Sequence, residues 1–467
     1  MAPKFGTSGL RGLVLELTPD LVADHIRAFL TACPTGTGLW VGRDLRPSSP
    51  VLAQTVLAAA RDMGVATVDC GDVPTPALAL AAMTAGAAAV MVTGSHIPAD
   101  RNGLKFYLPA GEISKADEAA IIGALGRNPA GQPGPGTVTC DTAGADWVRR
   151  YVSAFGEQAL AGLRIGVWSH SAVSRDLLLD ALRGLGAEVL EFGRSESFIP
   201  VDTEAVAPGA RAQLAAWVAE CRLDALISTD GDGDRPLLAD ATGQVIPGDV
   251  LGQITAAALG AATVVTPVSS NTGAEASGRF ARVVRTRIGS PFVIAGMAQA
   301  GGRVAGYEAN GGFLLGFTAQ GPAGPLPPLA TRDSLLPLLA PLSLARAAGG
   351  LAALVAAEPL RFTAADRLEE IPVEASRALL EEFETDPARL DGFLAALDES
   401  LVATDRTDGL RLTLASGRIA HIRPSGNAPE FRFYAEAESP EQAEALLGRG
   451  LGLLRDLLTP PAANPSA

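Results

Sequence analysis

A strand, a helix and a second strand recur three times along this chain, and that repeat constrains its fold more than any other feature. Gly38-Leu39-Trp40-Val41-Gly42 reads as a strand, Pro50 to Met63 as a helix, and Val65-Ala66-Thr67-Val68 as a strand ending in Asp69-Cys70-Gly71. The pattern returns as Arg164 to Trp168, a helix from Arg175 to Leu185, and Ala187 to Leu190. It returns again as Thr263 to Pro267, a helix near Glu275 to Phe280, and Arg282 to Arg285. Strands joined by helical crossovers pair in parallel with right-handed connections, so the repeats predict α/β domains in tandem. Beyond about Leu360 the pattern changes. Leu410 to Leu414 and Ile419 to Ile422 flank a Ser416-Gly417 turn, Phe431 to Ala435 adds a strand, and Pro440 to Leu458 is a helix with a leucine face. The expected fold class is α/β: three tandem related α/β domains with mixed sheets plus a C-terminal α+β domain, over residues 1–145, 146–248, 249–358 and 359–467.

Composition narrows the function classes. Aromatics are only 5% of residues, so alanine, leucine and valine must fill the core, as in layered α/β folds. A formal charge of −14 argues against nucleic acid or an anionic membrane surface as a general partner, and an anionic substrate would need a local cluster of arginine and lysine. Cys33, Cys70, Cys140 and Cys221 show no C-x-x-C spacing, which fits a reducing cytoplasm. The N-terminus has no apolar run of the secretory type. The charge-free stretches Val73 to Ser95 and Val250 to Ala274 are interrupted by breakers and read as helix, turn and strand, not as membrane spans. No phosphate-binding G-x-x-x-x-G-K-[ST] motif occurs.

Five stretches carry candidate chemistry. The apolar run Ala87 to Val92 stops at Thr93-Gly94-Ser95-His96-Ile97-Pro98, presenting a serine just past a buried strand. Thr93 and Ile97 stand where a G-x-S-x-G elbow needs glycines, so acyl chemistry is not indicated. Asn102-Gly103 signals a turn that would carry Lys105 back toward the serine. His96 suits either a backbone bond or proton transfer. Phe5-Gly6-Thr7-Ser8-Gly9-Leu10-Arg11-Gly12 can wrap an anion with backbone N–H groups and Arg11, or can be a flexible opening turn. Asp230-Gly231-Asp232-Gly233-Asp234-Arg235 follows an apolar strand and can point three carboxylates at one hard cation. It is not an EF-hand, because Arg235 takes the glycine position and Ala241 that of the last glutamate. Glu308 and Asn310, in Gly306-Tyr307-Glu308-Ala309-Asn310-Gly311-Gly312, suit neighbouring sugar hydroxyls. Arg423-Pro424-Ser425-Gly426-Asn427-Ala428-Pro429 can cradle a phosphate, with Arg432 in reserve.

In this order the five stretches resemble the α-D-phosphohexomutase family, which includes phosphomannomutases and phosphoglucomutases, across essentially the whole chain. The resemblance implies four domains around a central cleft. It implies that Ser95 carries a phosphoryl group and that Asp230, Asp232 and Asp234 hold Mg²⁺ beside it, with Arg235 near the reacting phosphate. Lys105 and Arg11 would flank the serine as acid/base and electrostatic partners, with His96 as a lesser candidate. Thr7 and Ser8 belong to the N-terminal anion loop. Glu308, with Asn310, would contact sugar, while Arg423, Ser425, Gly426, Asn427 and Arg432 would hold the other phosphate. Many relatives have alanine at the position of Gly94 and asparagine at that of Ile97. Relatives accepting mannose and glucose phosphates often have histidine where Gly312 stands. The T-G-S-H-I-P and R-P-S-G-N-A-P loops look like the phosphomannomutase type. Phosphoglucomutase and phosphoglucosamine mutase stay open, as do a metal-dependent sugar phosphatase and a non-catalytic sugar-phosphate sensor. The resemblance implies a phosphosugar substrate with hexose 1,6-bisphosphate as activator and intermediate; the expected setting is a cytoplasmic monomer or homodimer with no nucleic-acid or membrane partner.

Overall fold

Each strand–helix–strand repeat builds a sheet of its own in the computed structural model, which describes residues 3–6, 9–127, 132–425 and 429–458. The first sheet runs in the order Lys4–Gly6, Gly9–Leu13, Arg101–Leu108, Ala88–Val92, Leu39–Arg43, Thr67–Asp72 and Val138–Thr139, with Gly111–Glu112 paired on Arg101–Leu108. Its Leu39–Arg43 strand lies parallel to both neighbours, whereas the strands from Lys4 to Leu13 and Arg101 to Leu108 pair antiparallel, so the sheet is mixed. Ala88–Val92 is buried at all five positions, as a central strand covered on both faces must be. Helix Ser49–Asp62 packs Leu52, Ala53, Val56, Leu57, Ala59 and Ala60 inward at helical spacing.

The second sheet, Glu188–Phe192, Arg164–Trp168, Ala225–Thr229 and Pro236–Asp240, is parallel except for its last strand. That antiparallel turn, between Thr229 and Pro236, contains the three aspartates. The third sheet runs Arg282–Thr286, Thr263–Pro267, Val304–Tyr307, Phe313–Leu315 and Leu329–Asp333. Both charge-free stretches are helix, turn and strand: Thr75–Thr84 leads to Ala88–Val92, and Gly248–Ala258 to Thr263–Pro267. Among the described residues no helix is long and apolar enough to cross a membrane.

Two local expectations are corrected. Asn102-Gly103 makes no turn but lies inside the strand Arg101–Leu108. Asn102 is fully buried, its amide donating to Ser48 Oγ at 2.8 Å and Ser49 Oγ at 3.0 Å, so tertiary partners replace the turn. A Cβ at Gly103 would lie 2.2 Å from the Leu10 carbonyl oxygen, so this glycine admits a close neighbouring strand. The helix expected near Glu275 to Phe280 is one turn, Gly273–Ala276, and Gly278 with φ +62° ends it.

The chain forms two compact units, Met1–Val265 with Arg279–Val284 and Gly289–Ala357, and Thr266–Gly278 with Arg285–Ile288 and Glu358–Ala467. In the second unit an antiparallel sheet runs Phe362–Glu369, Glu430–Ala437, Ile419–Pro424, Leu410–Leu414 and Leu401–Asp405. Helix Pro440–Leu458 buries Ala443, Leu446, Leu447, Gly450, Leu451 and Leu454 on it. A Cβ at Gly450 would lie 2.4 Å from the Phe433 ring, so helix and strand touch almost backbone to ring there. The same unit is stitched to its non-contiguous segments by Glu436, which accepts from Thr272 N at 3.2 and 3.1 Å and from Thr272 Oγ1. The Ile288 N–H donates to Asp408 Oδ2 at 3.1 Å.

Candidate active site

The serine loop is set by its anchors. Ser95 adopts φ +55°, the left-handed region that costs a non-glycine residue about 1–2 kcal/mol. The Ser95 N–H donates to Thr93 Oγ1 at 2.7 Å, and Thr93 Oγ1 donates to Asp44 Oδ2 at 2.7 Å. Arg46, 1% exposed, supplies the remaining support. Its guanidinium donates to the carbonyls of Ser95 (2.9 Å), Ile97 (2.5 Å), Pro98 (2.6 Å) and Arg101 (2.9 Å), and to Asp44 Oδ2 (3.1 Å). One face stacks on the Phe198 ring, 4.0 Å from its centroid. Gly94 leaves room for this group, since a Cβ there would meet Arg46 Cζ at 2.6 Å.

Facing the serine is the aspartate turn. Gly233 takes φ +75°, and Asp230 Oδ1 accepts from the N–H groups of Asp234 and Arg235 at 3.2 Å each, which curls the backbone so that the carboxylates converge. Ser95 Oγ donates to Asp230 Oδ2 at 2.6 Å. Lys105 Nζ donates to Asp232 Oδ2 at 2.6 Å and Asp234 Oδ2 at 2.5 Å, while Thr75 Oγ1 also donates to Asp232 Oδ2. One ligand oxygen from each aspartate lies within 4.8 Å of the others, and all three residues are fully buried. Asp232 Oδ1 and Asp234 Oδ1 are buried without a hydrogen-bond partner. Their Oδ2 atoms are occupied by Lys105, Thr75 and Arg332, leaving two bare hard oxygens beside a hydroxyl, which is a donor set able to hold a divalent cation.

The electrostatics describe the same cage. Burial, with Asp232 and Asp234 close by, pushes the Asp230 carboxyl well above the usual carboxylate range. For Asp232, burial is outweighed by Lys105 and the Thr75 hydrogen bond, so its carboxyl lies below that range. Arg11, desolvated and crowded by Arg235, is lowered to about 10. Desolvation and the same arginines lower His96 to about 2, so its imidazole is neutral, with Nδ1 3.3 Å from Ser95 Oγ. Arg235 Nε stands 4.0 Å from Asp230 and 3.9 Å from Asp234.

The structure therefore brings Ser95, His96, Lys105, Asp230, Asp232, Asp234 and Arg235 into one neighbourhood, with Arg11 coupled to Asp232 and Arg235. Glu308, 4% exposed, reaches the same cluster through Arg332, and Asn310 Oδ1 accepts from Gly312 N at 3.0 Å. In the second unit Arg423 pairs with Asp408 at 3.3 Å and Arg432 with Glu430 at 2.8 Å, and Ser425 N donates to the Glu430 carbonyl at 2.8 Å. Thr7, Ser8, Gly426 and Asn427 lie outside the described residues. Sequence reasoning missed Arg46, Asp44, Thr75, Glu112 and Arg332. Of these only Arg43-Asp44-Leu45-Arg46, charges set directly after an apolar strand, offered a local signal.

Comparison with known proteins follows the domain order. Residues 2–130, 147–243 and 247–362 match phosphoglucomutase/phosphomannomutase alpha/beta/alpha domains I, II and III, and 367–449 the C-terminal domain of the same family. A phosphomannomutase of Sinorhizobium fredii is 46% identical over 97% of this chain and 99% of its own length. One of Salmonella muenchen is 43% identical over 94% of this chain and 93% of its own. A phosphoglucomutase/phosphomannomutase family protein from Burkholderia thailandensis superposes with a TM-score of 0.79 at 21% identity, covering 98% of both chains, a likeness of fold.

Proposed function

Because the chain belongs to the phosphoglucomutase/phosphomannomutase family and is therefore a mutase, we propose that it acts as a phosphomannomutase. In this reading it interconverts hexose 1-phosphate and hexose 6-phosphate through a phosphoserine at Ser95 and a bound hexose 1,6-bisphosphate. The observation that carries it is Ser95 Oγ at 2.6 Å from Asp230 within a buried aspartate cage. Two phosphomannomutases aligning at 46% and 43% identity support mannose as the preferred sugar.

The chemistry follows from charge. A phosphoserine carries about 1.5–2 negative charges at neutral pH, and a sugar phosphate brings a comparable charge against it. Asp230, Asp232, Asp234 and Ser95 would hold Mg²⁺, which supplies charge neutralisation at the phosphoryl oxygens. Lys105, Arg11 and Arg235 add fixed positive charge, so that positioning and electrostatics lower the barrier. The sugar O6 attacks phosphorus as the phosphorus–Oγ bond breaks. The O6 proton ends on Oγ, with Lys105 the acid/base group of this reading. The bisphosphate then turns over and returns its other phosphoryl to Ser95. The neutral imidazole of His96 is suited to hydrogen-bond the serine oxygen and not to neutralise phosphate. Glu308 and Asn310 are read as sugar contacts and Thr7 and Ser8 as part of the anion loop. In the C-terminal unit, Arg423, Ser425, Gly426, Asn427 and Arg432 are read as holders of the phosphate that is not reacting. Four free thiols accord with a cytoplasmic setting, and the protein is read as a monomer or homodimer.

The test is a coupled assay with mannose, glucose and glucosamine 1-phosphates, Mg²⁺ and a trace of hexose 1,6-bisphosphate. Ser95→Ala is expected to abolish turnover while retaining sugar-phosphate binding, and intact-mass spectrometry of the wild type to show one added phosphoryl group. Full isomerase activity in Ser95→Ala, or inorganic phosphate as the main product, would overturn the mutase mechanism.

A further inference from the structure

Arg332 is 2% exposed on the strand Leu329–Asp333, and carboxylates from three separate elements face it. Its Nη2 is 2.9 Å from Asp234 Oδ2, Nη1 3.5 Å from Glu308 Oε2, and Nε 3.8 Å from Glu112 Oε1. These are ion-pair distances without full hydrogen-bond alignment: Arg332 Nε and Nη2 and Glu308 Oε2 are buried and lack a hydrogen-bond partner. Buried donors and an acceptor left unsatisfied side by side are uncommon, and a polar ligand, a water or an ion would satisfy them. The stem of the same residue explains Gly312. A Cβ at 312 would lie 2.9 Å from Arg332 Cδ and 3.1 Å from Cγ, so the arginine fills the space that a side chain at 312 would take.

We propose that Arg332 and Glu308 form one donor–acceptor pair for neighbouring hydroxyls of the hexose ring, and that Arg332 is the specificity-determining residue standing in for a side chain at position 312. The proposal rests on the mutase reading and on Glu308 as its sugar-contacting group. Arg332 offers donors to hydroxyl oxygens, and Glu308 accepts hydrogen bonds from the hydroxyls. The Asp234 contact ties the sugar's placement to the aspartate cage. Lysine cannot replace a planar fork that serves two directions at once.

The experiment measures kcat/KM for mannose 1-phosphate and its 2-, 3- and 4-deoxy analogues in the wild type, Arg332→Lys and Glu308→Gln. Removing a hydroxyl that the pair reads is expected to lower wild-type kcat/KM about tenfold or more, the loss of one well-made hydrogen bond. In Arg332→Lys and Glu308→Gln the penalty for that same hydroxyl should shrink severalfold. A role confined to structure would lower activity on all four sugars in proportion and leave the penalties unchanged, which overturns the proposal. If Glu308→Gln shrinks a penalty and Arg332→Lys does not, the sugar-loop reading stands and the role of Arg332 falls. If the wild type turns over none of the sugars, the mutase reading itself has failed. Should Arg332→Lys not fold, Gly312→Ala, which pushes the arginine stem aside, must shrink the same penalty or the proposal is wrong.

Discussion

Gly94→Ala adds one methyl group to the serine loop and tests whether Arg46 holds that loop in its left-handed turn. The new Cβ would lie 2.6 Å from Arg46 Cζ, 2.8 Å from Nε and 2.9 Å from Nη2. An arginine tip could ordinarily step aside, but this one is buried and tied by four carbonyls and Asp44. Overpacking of this kind costs about 1–3 kcal/mol, and each hydrogen bond to a charged group that is lost costs about 1.5–3 kcal/mol. A net loss near 3 kcal/mol should lower the unfolding midpoint by roughly 3–4 °C for a unit of this size. Because the Ser95 carbonyl is one of the tethers, the hydroxyl should shift as well, and a misplacement of about 1 Å lowers turnover about a hundredfold. Thermal unfolding and the coupled mutase assay read the two effects. A double-mutant cycle with Arg46→Met isolates the contact, since the methyl should cost far less once the guanidinium is gone. Strict additivity in that cycle, or a Gly94→Ala protein with wild-type midpoint and turnover, would refute the reasoning.

Two further outcomes follow from groups away from the serine. Gly450→Ala places a Cβ 2.4 Å from the Phe433 ring and should destabilise the C-terminal unit by about 1–3 kcal/mol, seen as an earlier chemical-unfolding transition. His170 and His421 are both buried, each with one ring nitrogen bonded to a carbonyl, at 2.9 and 2.6 Å, and Nδ1 bare. Burial lowers both to about 4, below the unfolded value near 6.5, so the unfolded chain binds more protons between those limits. Stability should fall as pH drops through that window, and replacing either residue with glutamine should flatten the fall in urea-unfolding curves recorded from pH 7 to pH 4.

What the sequence disclosed and what it withheld divide along a physical line. The aspartate turn was legible because its carboxylates sit at alternate positions of one short segment, where mutual repulsion has no purpose without a cation. Ser95 was legible because an uninterrupted apolar strand must stop where Thr93-Gly94 begins. Arg332 was not, because an arginine within a strand looks like any solvent-facing charge until another sheet and two loops close around it. Asn102-Gly103 misled for the converse reason: a strong local turn signal gave way to two serine hydroxyls and an adjoining strand. The repeats announced themselves through periodicity, while the one-turn helix Gly273–Ala276 escaped because a single glycine at 278 outweighs the residues around it.

The tie between Glu436 and Thr272 bears on how this protein can be taken apart. A fragment beginning near residue 359 would keep the sheet, its leucine-faced helix and the Arg361 ion pair of Glu436 at 3.7 Å, but would sever that carboxylate from the amide and hydroxyl of Thr272 that donate to it. The compact unit that holds this region includes Thr266–Gly278 and Arg285–Ile288 from far upstream, so a C-terminal piece made without them should be less stable than the same region in the whole chain.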